Sequence, residues 1–164
     1  VEARVPFDDN GNPTLDDRYN TPHRFTVQVN YPNDVLMEIT SEGRNGILVE
    51  GTQGRIFVNR GTIAGKPIEE LENNPLPGGW LEDMYGGPVV EHVNNFFDCI
   101  ASRKKPASDV LTHVASINTC HLSNIAIRLN RLIQWDAATQ TIKDDAVASA
   151  MLKRDFRKGY EIEL

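Results

Sequence analysis

The chain has 164 residues, with 17 lysines and arginines against 23 aspartates and glutamates, for a net charge of −6. Its 40 % hydrophobic and 24 % charged residues are those of a globular domain, and one this long can bury roughly 70 % of its unfolded surface. That removes any need for a metal or disulfide framework; the acidic balance speaks against nucleic acid, and no apolar run of about 18 residues is present to cross a membrane.

The first half reads as strands. From His23 to Tyr31, apolar Phe25, Val27, Val29 and Tyr31 alternate with polar Arg24, Thr26, Gln28 and Asn30, the period of a half-buried strand. Pro32-Asn33-Asp34 is a turn cluster, and Val35 to Thr40 resumes a strand, which predicts a hairpin. Residues 46–50 and 55–59 flank Gly51-Thr52-Gln53-Gly54, a four-residue loop joining a second hairpin. With no helix inside either pair, the strands form an antiparallel meander. Residues 61–88 are rich in Gly and Pro and read as a long connection carrying Trp80 and Tyr85.

The second half reads as helices. Val89, Val93, Phe96, Phe97 and Ile100 make an apolar stripe to about Ser102, with Arg103-Lys104-Lys105 at its C-terminal end and Pro106 as the stop. A longer helix opens at Ser108 or Asp109 with the stripe Val110, Val114, Ile117, His121, Ile125, Leu129 and Leu132. It spans roughly 35 Å and is expected to lie across the sheet. A short strand (133–136), a small helix (144–152) and an extended tail (160–164) follow. Strands first and helices second predict one α+β domain over residues 1–164, a mainly antiparallel sheet with helices packed on one face.

Few side chains point to chemistry. Cys99 and Cys120 fall in helical patterns and read as small buried hydrophobes; no Cys and His stand at zinc-ligand spacing. The glycines at 43, 46, 51 and 54 fit neither dinucleotide nor P-loop fingerprints and read as hairpin glycines. Asp109 and His113 lie one helical turn apart. They read as an N-cap with a nearby histidine, and as an acid–base pair only secondarily. His121 sits on the apolar stripe as a core or interface histidine, with a ligand role as the alternative. Arg44-Asn45-Gly46 is a turn whose guanidinium and amide could also hold a polyol or carboxylate. Trp80 could stack on a sugar, or simply anchor its own loop. Arg44, Asn45, Trp80, His113 and His121 are thus the substrate-binding candidates.

Two longer stretches carry a resemblance. Residues 44–61 (R-N-G-I-L-V-E-G-T-Q-G-R-I-F-V-N-R-G), and residues 92–106 (H-V-N-N-F-F-D-C-I-A-S-R-K-K-P) leading into Cys120-His121-Leu122-Ser123-Asn124-Ile125-Ala126, resemble the C-terminal domain of the Gfo/Idh/MocA oxidoreductases, in a bacterial branch. Residues 132–136 and 154–160 also fit that branch.

The resemblance implies a dihydrodipicolinate-reductase-like C-terminal domain. An N-terminal Rossmann domain would hold NAD or NADP, and no cofactor would bind to this domain alone. It further implies a sugar, polyol or related hydroxy compound as small-molecule substrate, and a homo-oligomer formed through the sheet face. The family's D-x-x-x-H pair and its E-K-P lysine would lie before Val1, so no catalytic residue, cofactor site or metal site is expected in this chain. Asp109-x-x-x-His113 has the same spacing but follows the strands, and the role is not carried onto it. The chain also lacks a methionine before Met37, which suggests a processed or excerpted N-terminus. Cytoplasm is the default compartment, with export also open. The competing reading is a stand-alone carbohydrate- or protein-binding module.

Overall fold

The computed structural model describes Glu2, Ala3 and residues 6–162, with no account of the Glu2 and Ala3 side chains. Glu163 and Leu164, the end of the expected tail, lie outside the described residues, and no strand forms over 160–162. Among the described residues the strands are β1 (Glu2–Ala3), β2 (Phe25–Asn30), β3 (Leu36–Thr40), β4 (Ile47–Gly51), β5 (Gly54–Val58), β6 (Ile63–Ala64), β7 (Trp135–Asp136) and β8 (Thr141–Ile142). The helices are α1 (Lys66–Glu69), α2 (Trp80–Tyr85), α3 (His92–Ser102), α4 (Val110–Leu129) and α5 (Ala146–Ala150). Every strand pairing is antiparallel, and the chain is α+β as its pattern predicts. The expected meander, however, is divided into separate sheets ordered β1-β2-β3, β4-β5-β6 and β7-β8.

The chain forms two compact units, residues 1–43 with 114–164, and residues 44–113. In the first, β2 and β3 pair from Thr26↔Thr40 to Asn30↔Leu36. Val27 on the predicted inward face is buried, and the Thr26 and Thr40 hydroxyls meet across the ladder at 3.2 Å. At the turn Asn33 and Asp34 take φ of 63° and 59°, values that short polar side chains tolerate. The core of this unit is Ile125, Ile142 and Ala148, with Leu122, Leu129, Ile133, Trp135 and Met151 packed around them. The buried stretch of α4 therefore rests on β8 and α5 rather than lying across the long strands, contrary to expectation. One tie to those strands is the bond between the Tyr31 and Thr119 hydroxyls at 2.9 Å. The Asp145 carboxylate caps α5 by accepting from the Ala148 N–H at 2.9 Å. It also accepts two bonds from the Arg131 guanidinium, at 2.8 and 2.9 Å.

In the second unit, β4 and β5 pair from Ile47↔Val58 to Gly51↔Gly54, so the turn between them is Thr52-Gln53, two residues shorter than the expected loop. α1 folds back onto β5. A Cβ at Gly65 would sit 2.2 Å from the Arg55 carbonyl oxygen, and this close approach is what the glycine permits. The Gly/Pro-rich connection contains two short helices that the sequence reading did not foresee, α1 and α2. Gly79 and Gly86 bracket α2 with left-handed φ of 81° and 67°.

Helix α3 buries Asn95, whose Oδ1 accepts the Ala107 N–H at 3.0 Å. Its apolar stripe is largely uncovered, with Val93 and Phe97 each 61 % exposed. The predicted stripe of α4 is likewise only half used. Val110, Val114 and Ile117 are exposed, and Ile125 to Ile127 are buried. Leu132 lies beyond the end of the helix and is exposed as well. Cys120 is exposed and Cys99 half-buried, so neither is the buried hydrophobe expected.

Candidate functional site

The candidate residues sort by element. Arg44 and Asn45 lead into β4, Trp80 opens α2, and His113 and His121 lie on α4. Trp80, His113 and His121 are exposed. Among the described residues no hydrogen bond, ion pair or ring contact joins Trp80 to Arg44 or Asn45. Among the described residues, a cleft can be named in each unit. The first, about 490 Å³, lies between Phe7–Asp9 and the α4 terminus at Ile127–Arg131. The second, about 240 Å³, is lined by His92, Val93, Phe96, Phe97, Pro106 and Ser108. None of the five candidates lines either.

Asp109 does the work of an N-cap. Its Oδ1 accepts the N–H groups of Leu111 (3.0 Å) and Thr112 (3.2 Å), satisfying two donors at the start of α4. Its Oδ2 accepts the Thr112 hydroxyl and faces Lys105 Nζ at 3.1 Å. The Thr112 hydroxyl bond, with the Thr112 amide and the Lys105 ammonium behind it, holds the carboxyl at about 2, below its ordinary 3.8. His113 reaches Asp109 only through its backbone N–H, which donates to the Asp109 carbonyl at 3.1 Å. Both carboxylate oxygens are engaged elsewhere, so the pair is not set for proton exchange between its side chains.

The Arg44-Asn45-Gly46 turn is built more tightly. The Arg44 guanidinium carbon lies 4.0 Å over the centre of the Phe57 ring. A Cβ at Gly46 would come within 2.4 Å of that same ring, and Gly46 has φ of 153°. Asn59 Nδ2 donates to the Asn45 carbonyl at 3.5 Å, tying the turn to the end of β5. Residue type alone does not mark Phe57. Its signal lies in the register: a hairpin turning at Thr52-Gln53 sets Phe57 across from Leu48, diagonal to Gly46.

Gly46, Gly65 and Gly79 do not suit a dinucleotide pyrophosphate. Gly46 and Gly65 are filled by this unit's own ring and backbone. Gly79 opens a helix of six residues whose first turn carries Glu82 and Asp83, which would repel phosphate. Among the described residues no group of three or more His, Cys, Asp or Glu could hold a metal ion, and no helix is long and apolar enough to cross a membrane.

Comparison with known protein families places the chain. Residues 7–162 match the family described as "Oxidoreductase family, C-terminal alpha/beta domain". The chain belongs to the Gfo/Idh/MocA oxidoreductase family, as its C-terminal α/β domain. Neither the curated proteins nor the solved structures compared with it gave a match.

Proposed function

We propose that residues 1–164 are the substrate-side and subunit-joining domain of an NAD(P)-dependent oxidoreductase acting on a sugar, polyol or related hydroxy compound. The observation that carries this reading is the family match over residues 7–162. The nucleotide belongs on a Rossmann partner domain, a reading supported by the match to a C-terminal domain and by Gly46 and Gly65, which are closed by the chain's own Phe57 ring and Arg55 backbone. When bound there, the nucleotide supplies the redox chemistry.

The share of this chain is to wall the substrate site and to offer apolar surface to neighbours. Ile47, Leu48 and Val49 along β4, and Val93, Phe96 and Phe97 on α3, are exposed apolar surface of the kind that marks protein contacts. The Rossmann domain and a second copy of the enzyme are the partners proposed for those faces. Of the candidates, Arg44, Asn45 and Trp80 carry the most weight as substrate contacts, and His113 and His121 stand as exposed histidines of α4.

Isothermal calorimetry tests the reading. NAD⁺ and NADP⁺ added to this chain alone are expected to give no binding heat, and the chain alone no turnover. The same chain joined to its Rossmann domain is expected to bind one of the two. Micromolar binding to the isolated chain would overturn the division of labour. A joined protein indifferent to both nucleotides would favour a carbohydrate- or protein-binding module.

A further inference from the structure

Arg44 differs from most arginines on a protein surface. A free guanidinium on its flexible stem samples many rotamers, and a ligand that captures it must first freeze them. Here the guanidinium carbon already lies over the Phe57 ring, 4.0 Å from its centre. That contact holds the group at the ring, and among the described residues no hydrogen bond uses its N–H donors. Gly46 makes the arrangement possible, since any side chain at that position would collide with the ring.

The charge around this end of the hairpin is unbalanced. Among the described residues Arg44 has neither a carboxylate partner nor a hydrogen bond, and Arg60 has no carboxylate partner either. The ladder ends at Ile47↔Val58, and Arg60 lies in the turn that leads from β5 to β6, where the Asn59 N–H donates to the Thr62 carbonyl at 2.9 Å. The carboxylate of β4, Glu50, sits at the other end of the strand, where it meets Arg55 at 3.8 Å. Glu42, two positions before Arg44, faces Arg24 at 3.6 Å. A chain of net charge −6 thus keeps Arg44 at the entry to β4 with no carboxylate partner among the described residues, while Asn59, the neighbour of Arg60 in the chain, donates to the Asn45 carbonyl at 3.5 Å.

We propose that Arg44, held over the Phe57 ring, is the receptor for an oxyanion on a polyhydroxylated ligand, so that the compounds taken here are acidic sugars rather than neutral ones. The fork suits two coplanar acceptor oxygens, which a carboxylate or a phosphate ester can present. Arg60 adds long-range attraction, and Asn45 offers an amide to a neighbouring hydroxyl. The proposal deepens the sugar or polyol reading above and rests on it.

The test uses the intact chain and two-dimensional ¹⁵N–¹H NMR at fixed ionic strength, titrated in parallel with D-gluconate, D-glucose 6-phosphate and neutral D-glucitol. One or both anions are expected to shift the Arg44 Nε–H and the Asn45 and Gly46 amides, with glucitol leaving them in place. Whichever anion saturates first identifies the oxyanion as carboxylate or phosphate. Arg44→Lys, which keeps the charge and loses the fork, is expected to weaken binding about tenfold. Phe57→Leu, which keeps the arginine and frees it, is also expected to weaken binding. The wild-type shift map needs no variant, so the test survives a variant that folds poorly. Equal response to glucitol, no response to either anion, or unchanged anion binding in a folded Arg44→Lys chain would overturn the proposal. Such a failure leaves the oxidoreductase reading standing, because that reading is judged separately by nucleotide binding to the joined protein.

Discussion

The two units of this chain are held together by different means. The unit of residues 1–43 and 114–164 contains all six buried apolar residues found among the described ones: Val27, Ile125, Ala126, Ile127, Ile142 and Ala148. In the unit of residues 44–113 the buried residues among the described ones are polar, Asn95 and Asp109. Hydrophobic burial supplies most of the favourable free energy of folding, and hydrogen bonds add little net once water is counted. The first unit therefore holds the larger share of that term. The second is organised by local bonds, a hairpin and a cation–π stack, and keeps its apolar stripe facing outward.

The largest expected effect tests the first unit. Ile125→Ala empties a position that is 3 % exposed and should cost about 3 kcal/mol, read as a lowered denaturant midpoint. Acid is next. Asp109 is held at about 2 against an ordinary 3.8, so its contribution is complete above about pH 4 and lost as pH falls toward 2. Helicity at the start of α4, followed by the carbonyl chemical shifts of residues 110–113, should drop over that window, and Asp109→Asn should flatten the response. The smallest effect is Phe97→Ala, expected to change the stability of this chain by less than about 1 kcal/mol, because the ring is already 61 % exposed. The same substitution in the protein joined to its Rossmann domain should weaken the assembly measurably. If Phe97→Ala instead costs this chain as much as Ile125→Ala, the contrast between the units fails.

The parts legible in the sequence were those fixed by near neighbours. Alternation over Phe25 to Tyr31 gave β2, Pro32-Asn33-Asp34 its turn, and Asp109 the start of α4. The misses share a cause. Periodicity tells which face of a helix is apolar but not what covers it, so the stripe of α3 and the first half of that of α4 were expected to be buried and are not. Turn chemistry locates each hairpin but not whether two hairpins share a ladder, so one expected meander is separate sheets. α2 was hidden because its six residues lie among glycines and prolines that dominate any local reading. At the candidate site, Arg44, Asn45 and Gly46 stood out by residue type, whereas Phe57 is an ordinary strand aromatic until the register brings it beneath them.

The bond from the Ala107 N–H to Asn95 Oδ1 bears on the time course of opening as well as on geometry. It spans twelve positions and ties the connection after α3 back to the first turn of that helix. Amide exchange at Ala107 should therefore follow the opening of α3 rather than the faster flicker of a surface loop, and the helix and the connection should exchange as one cooperative segment. Binding at the outward stripe of α3 would then register as slowed exchange at Ala107, a backbone reporter outside the stripe itself.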